Sequence, residues 1–226
     1  MRRSVEVYDI DGFENTAEEV KKLHEKGIHV ICYIDVGGAE EYRPDYSKFK
    51  EDEEKYKVQM TGNRIEKWEE FYINIKELTY VEPIMKARFE MRKEKGFDAV
   101  EPDEDESWTV TEAESGIKGG ISKADQLAYN KWIAETVHSL GMAVIQKNDA
   151  GQTSEQNKYF DGVITEECNL SSECGDFKPY LEEGKPVMNA EYSNTKAKFC
   201  KKDEEAGIMG ARFNVNLNGK RFEPCW

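Results

Sequence analysis

Acidic side chains recur where short apolar runs end. Tyr8-Asp9-Ile10-Asp11 closes the first run and Tyr33-Ile34-Asp35 the second. Glu101-Pro102-Asp103-Glu104-Asp105, Lys147-Asn148-Asp149, Glu166-Glu167 and Glu191-Tyr192 close later ones. Side chains two apart on a strand share a face, so Asp9 and Asp11 point the same way, as do Tyr33 and Asp35. Single acids at such places serve as helix N-caps, the reading adopted for Asp105, Glu106 and Glu167. The set as a whole is different. Gathering carboxylates sets like charges against each other, which suits a site that performs acid/base work or holds a cation. Two carboxylates across a sugar are the minimal machinery of glycoside cleavage: one protonates the leaving oxygen, and the other attacks the anomeric carbon or activates water. Tyr8, Tyr33, Tyr42, Trp68, Trp108 and Tyr192 offer aromatic faces to sugar rings. A Mg²⁺ or Ca²⁺ site of Asp9, Asp11, Asp103 and Asp149 is the competing chemistry. Lys147 in the same group counts against it, and no metal or cofactor is assigned.

The elements that must position these residues alternate. Eight apolar or alternating runs read as strands: Val5–Ile10, His29–Val36, Phe71–Ile75, Ala99–Pro102, Ala143–Lys147, Gly162–Glu166, Pro186–Tyr192 and Ala211–Val215. Helical patterns lie between many of them. Thr16 to Glu19 is a capping box, Val81 to Lys95 stops at Gly96, and Ser122 opens a helix that ends at Gly141. Phe177–Glu183 and Lys196–Glu205 complete the set. The repeated order of helix, glycine and strand is that of an α/β fold with a parallel sheet. Eight strands point to a (β/α)8 TIM-type barrel, a single domain over 1–226. A doubly wound sheet is the runner-up, but no G-x-G-x-x-G follows the first strand. Gly37–Trp68 and Glu104–Gly120 follow strands and read as loops on the C-terminal, functional face.

Composition narrows the partners. With 46 acidic against 32 basic residues the net charge is -14, which argues against nucleic-acid phosphates and anionic membranes and favours a neutral or cationic partner. No apolar run approaches the ~20 residues of a membrane span. Met1-Arg2-Arg3-Ser4 is basic without an apolar segment behind it, so an export signal is expected to be removed or to lie upstream. Of five cysteines, Cys168 with Cys174 and Cys200 with Cys225 read as disulfides, while Cys32 sits in the apolar run Val30–Ile34 as a buried thiol. Neither pair has zinc-site spacing, and His24, His29 and His138 all fall in or beside helical patterns. A secreted, extracellular monomer is expected.

Several of these motifs resemble glycoside hydrolase family 114, the endo-α-1,4-polygalactosaminidase family. They are Val7-Tyr8-Asp9-Ile10-Asp11-Gly12-Phe13, Val30-Ile31-Cys32-Tyr33-Ile34, Arg43-Pro44-Asp45 and Gly96 to Asp103. Ala124 to Asn130, Lys147-Asn148-Asp149, Glu166-Glu167-Cys168, Glu191-Tyr192 and Phe199-Cys200 continue the match in order over nearly the whole chain. The resemblance implies a barrel, a disulfide beside the sixth strand, and endo-hydrolysis of α-1,4-linked galactosamine polymers with Asp103 and Glu166 as the catalytic carboxylates. Asp103 is expected to attack and Glu166 to act as acid and then base, with retention, by analogy with other barrel α-glycosidases. Asp9, Asp11, Asp35 and Glu191 are expected to hold protonated amines, and Tyr33 and Tyr192 to contact the sugar. Lys147 and Asn148 are expected to bond hydroxyls or orient a carboxylate. The chain departs from the family at Glu104, where Asn is usual, at Glu167 in place of Gln, and at Asp35 in place of a small residue. It also lacks the family's Trp-containing segment before the first strand. A cationic or neutral amino-sugar polysaccharide is the expected partner. A non-catalytic carbohydrate-binding barrel and a metal-dependent hydrolase are the alternatives.

Overall fold

In a computed structural model, which describes residues 5–226, the chain forms two compact units, one ending at Val144 and the other beginning at Ile145. The basic opening Met1–Ser4 lies outside the described residues.

The first unit contains β1 (Val7–Asp11), β2 (His29–Asp35), β3 (Gly38–Glu40), β4 (Thr61–Ile65), β5 (Glu70–Ile73), β6 (Ala99–Asp103) and the start of β7 (Ala143–Lys147). β1, β2 and β6 run parallel in that order, and β6 pairs Ala99 and Val100 with Ala143 and Val144 of β7. The central run Val30–Ile34 is almost wholly buried, which explains why it shows no polar alternation. Helices return the chain between strands. Ala17–His24 begins with the Thr16/Glu19 capping box, and Lys123–Ser139 begins with Ser122 and Asp125 in the same roles. Leu78–Lys95 stops at Gly96, whose φ of 90° is costly for any residue with a Cβ.

One predicted strand does not join this sheet. Phe71–Ile75 falls in β5, the centre of a separate antiparallel sheet of order β3-β5-β4. Its partners are the short β3 and β4, within the stretch read from sequence as loop. That stretch also holds a helix at Tyr46–Tyr56, and Glu104–Gly120 holds a short one at Glu112–Ser115. The other seven predicted runs do become parallel strands.

The second unit continues from β7, whose residues Ile145–Lys147 pair with β8 (Gly162–Glu166). β9 (Val187–Glu191) and β10 (Met209–Phe213) follow in parallel, and β11 (Phe222–Pro224) pairs antiparallel with β10. β11 is only three residues long and includes Pro224, so its sequence carries no strand period. Cys168–Cys174 closes the loop just after β8, and Cys200–Cys225 ties helix Lys196–Ala206 to the segment after β11. Cys32 is the buried free thiol. The disulfide pairing is as expected. Among the described residues, no helix is long and apolar enough to cross a membrane.

Candidate active site

In the first unit, Asp35 of β2 lies in register with Asp103 of β6, and Tyr33 lies between Asp11 of β1 and Glu101 of β6. The Tyr33 phenol is hydrogen-bonded to the Asp103 carboxylate. Burial, the charges of Asp103, Asp35 and Glu40, and that hydrogen bond hold the phenol well above the usual tyrosine range. It therefore remains a donor at any working pH. Tyr33, expected to contact sugar, thus braces a candidate catalytic group.

Asp11 is heavily engaged. Its Oδ1 accepts the N–H groups of Phe13 and Glu14 at 2.7 Å each, and Arg43 donates to its two oxygens at 3.1 and 2.5 Å. Burial alone would raise its pKa, but the Arg43 guanidinium and the two N–H groups outweigh it and hold the carboxyl below the usual range. Arg43 is buried and also grips Glu40 at 2.7 and 2.8 Å. Asp9 stands exposed on β1.

Asp35 faces inward. Its Oδ1 accepts the N–H groups of Gly37 and Gly38 at 3.0 and 2.6 Å. Its Oδ2 is buried with no hydrogen-bond partner, and the buried Glu70 carboxyl acts on it as a neighbouring charge. Burial first, and then the charges of Glu70, Glu40 and Glu104, raise Asp35 well above the carboxylate range. Burial raises Glu70 as well. Gly38 has no alternative here, because a Cβ on it would overlap the Asp35 carboxyl.

In the second unit the chemistry converges on Glu166, at the end of β8. Tyr192 donates its phenol to Oε1. Lys147, buried at the end of β7, places Nζ 3.6 Å from Oε2. Asn148 Oδ1 accepts the Glu166 N–H at 2.8 Å. Three residues expected to meet substrate are thus grouped around one part-buried carboxylate. Glu191, by contrast, is fully buried and accepts hydrogen bonds from the Asn169 N–H (3.0 Å) and from Nδ2 of Asn189 (3.2 Å) and Asn194 (2.8 Å). Glu167 caps nothing with its side chain and instead accepts the Ser193 N–H at 2.8 Å.

The two units share one local device. Asp103 is followed by Glu104 at φ 58°, Lys147 by Asn148 and Asp149 at 47° each, and Glu166 by Glu167 at 52°. A side chain in the left-handed region costs on the order of 1 kcal/mol, and such residues gather at functional sites. The turn ends each strand at once, so that Asp103, Lys147 and Glu166 are the last strand residues before it. Arg43, Glu40 and Glu70 have no functional assignment in the sequence reading. The only signal for them was a guanidinium three residues after an acid, next to the Arg-Pro-Asp motif.

Compared with known families, residues 1–224 match the model of glycoside hydrolase family GH114. A crystal structure of Aspergillus fumigatus Ega3 in complex with galactosamine is similar at a TM-score of 0.85 and 27% identity, covering 99% of this chain and 89% of that one. The glycoside hydrolase domain of PelA from Pseudomonas aeruginosa has a TM-score of 0.67 at 11% identity, with 95% and 89% covered, a likeness of fold alone. A comparison with curated protein sequences finds no match. The likeness to Ega3 gives the chain the expected α/β fold of (β/α)8 type.

Proposed function

The chain belongs to glycoside hydrolase family GH114 and is a glycosidase, and we propose that it cuts α-1,4-linked galactosamine-containing polysaccharide internally, with Asp103 and Glu166 as its catalytic carboxylates. The observation that carries this reading is the likeness, over 99% of the chain, to a structure that holds galactosamine. Each proposed carboxylate is also braced by its own tyrosine, Asp103 by Tyr33 and Glu166 by Tyr192. Preorganised donors of this kind hold a reacting group in its productive orientation.

In this mechanism Asp103 attacks the anomeric carbon while Glu166 protonates the departing glycosidic oxygen. Glu166, then ionised, takes a proton from water, which displaces Asp103 and restores the enzyme with net retention. Lys147 and the Tyr192 phenol hold the Glu166 carboxyl in place for both steps. Asp9, exposed on β1, is the acid placed to meet a protonated amine, while Asp11 is held by Arg43 and two N–H groups. Asp35 and Glu191 are engaged within the fold and serve as supports. The net charge of -14 would draw a polycation in, with an attraction that salt weakens. Two disulfides fit an extracellular setting.

The test is product analysis with defined galactosamine oligomers, acetylated and not, following the configuration at the new reducing end. Asp103→Asn and Glu166→Gln should each abolish cleavage. Undiminished cleavage by both variants would remove the pair from the assignment, and an inverted product would overturn the retaining step.

A further inference from the structure

Two large aromatic side chains stand in solvent at the end of the small antiparallel sheet, Tyr42 at 57% exposure and Trp68 at 46%. β3 and β5 pair Glu40 with Glu70. One further rung, from the Glu41 N–H to the Glu69 carbonyl at 2.9 Å, leaves Tyr42 and Trp68 as the next residues on the two chains.

The Tyr42 ring is exposed yet fixed. Its hydroxyl donates to Glu40 Oε1 at 2.5 Å, and the Arg43 guanidinium lies 4.9 Å from its centroid. Neither anchor is adjustable. Glu40 and Arg43 are both buried and joined by two hydrogen bonds. Arg43 is also bound to Asp11 and lies 4.8 Å from the Phe13 ring. A ring that has already lost its rotamer freedom binds a flat partner with less entropic penalty than a mobile one. The fold thus presents a preset aromatic surface to water, which packing alone does not explain.

The charge around it narrows what the surface takes. Glu41, Glu66 and Glu69 all crowd one guanidinium, that of Arg64, with Glu41 at 2.5 Å and Glu69 at 4.0 Å. Lys67 places Nζ 4.3 Å from the Trp68 ring centroid, so the three acids Glu41, Glu66 and Glu69 face the two cations Arg64 and Lys67 on this rim. An aromatic face suits the C–H bonds on one side of a pyranose ring, and carboxylates suit an ammonium group. An anionic polymer would be repelled here.

The geometry points to an accessory sugar-binding site at Tyr42 and Trp68, which holds an amino-sugar unit of the polymer other than the one being cut. The inference rests on the substrate class proposed above and adds a site to it. An endo-acting enzyme with such a site binds long chains better than short ones.

Calorimetric titration of the Glu166→Gln protein with α-1,4-linked galactosamine dimer and hexamer tests this, with and without Tyr42→Ala, Tyr42→Phe or Trp68→Ala. Tyr42→Ala should raise the hexamer Kd about tenfold, equivalent to about 1.4 kcal/mol, and the dimer Kd less than about twofold. Tyr42→Phe, which keeps the ring but loses the bond to Glu40, should fall between parent and alanine for the hexamer. An equal change for both lengths, or an unaltered hexamer Kd in both alanine variants, overturns the site. Failure of the wild-type chain to cut a hexamer that still binds through Tyr42 would overturn the hydrolase reading and support the site.

Discussion

Tyr192 donates its phenolic hydrogen to Oε1 of Glu166, a contact that joins the residue just after β9 to the last residue of β8. Tyr33 bears the same relation to Asp103 in the first unit. A fixed donor holds each carboxylate in one orientation.

Removing either donor tests this positioning. Tyr33→Phe and Tyr192→Phe should each lower kcat by about ten- to a hundredfold with little change in KM, read from steady-state kinetics on a galactosamine oligomer. An undiminished kcat in either variant would remove that tyrosine from the positioning of its carboxylate.

Lys147 offers an independent check on Glu166. Lys147→Met keeps most of the buried stem and removes the charge 3.6 Å from Oε2. Cleavage should slow by about tenfold, and further when Tyr192→Phe is added. Steady-state rates of the two single variants and the double variant measure this, and unchanged rates in all three would exclude Glu166 as the acid.

The Asp35–Glu70 pair predicts how stability responds to pH. Both carboxyls are raised in the folded chain, Asp35 well above its ordinary value, by burial first and by neighbouring acids next. The folded state therefore binds more protons than the unfolded one between the unfolded pKa, about 4, and the raised folded value. Stability from this source is complete below that window and is lost as pH rises through it. In Asp35→Asn the amide can still accept from Gly37 and Gly38, and it places no titrating group beside Glu70. Its Tm should gain on the wild type as pH goes from 4 to 8, at about 2–4 °C per kcal/mol recovered. A Tm difference that is flat with pH would mean that the pair holds no proton.

Cys32 should be chemically silent. Burial pushes its thiol up to about 12, against the pull of the Arg92 guanidinium. Only the thiolate attacks reagents, so roughly one thiol in ten thousand is competent at pH 8. Ellman's reagent should count no thiol in the native chain and one after denaturation without reductant. A fast native reaction would show that the Cys32 strand opens readily.

Much of this arrangement could be read from the residues, and the rest depended on contacts between distant positions. Glycine stops and capping boxes marked the helices because those signals are local. Phe71–Ile75 has the composition of a buried parallel strand, and only its antiparallel pairing with Gly38–Glu40 and Thr61–Ile65 places it elsewhere. Phe222–Pro224 is too short to show a period and carries a proline. Among the acids, position at a strand end does not reveal which way the side chain faces. Asp103 and Glu166 look much like Asp35 and Glu191 in sequence. What separates them is Glu70 beside Asp35, and Asn169, Asn189 and Asn194 around Glu191.

The left-handed residues after β6, β7 and β8 also bear on how far this protein can be made more heat-resistant. Asparagine and glycine occupy that region more readily than glutamate. Glu104 and Glu167 are thus places where durability can be added next to the proposed catalytic carboxylates without replacing them. Designers who stabilise enzymes usually avoid the neighbourhood of the chemistry. Here the backbone itself marks two positions in that neighbourhood where a change of residue would relax the chain while keeping the turn that ends each strand.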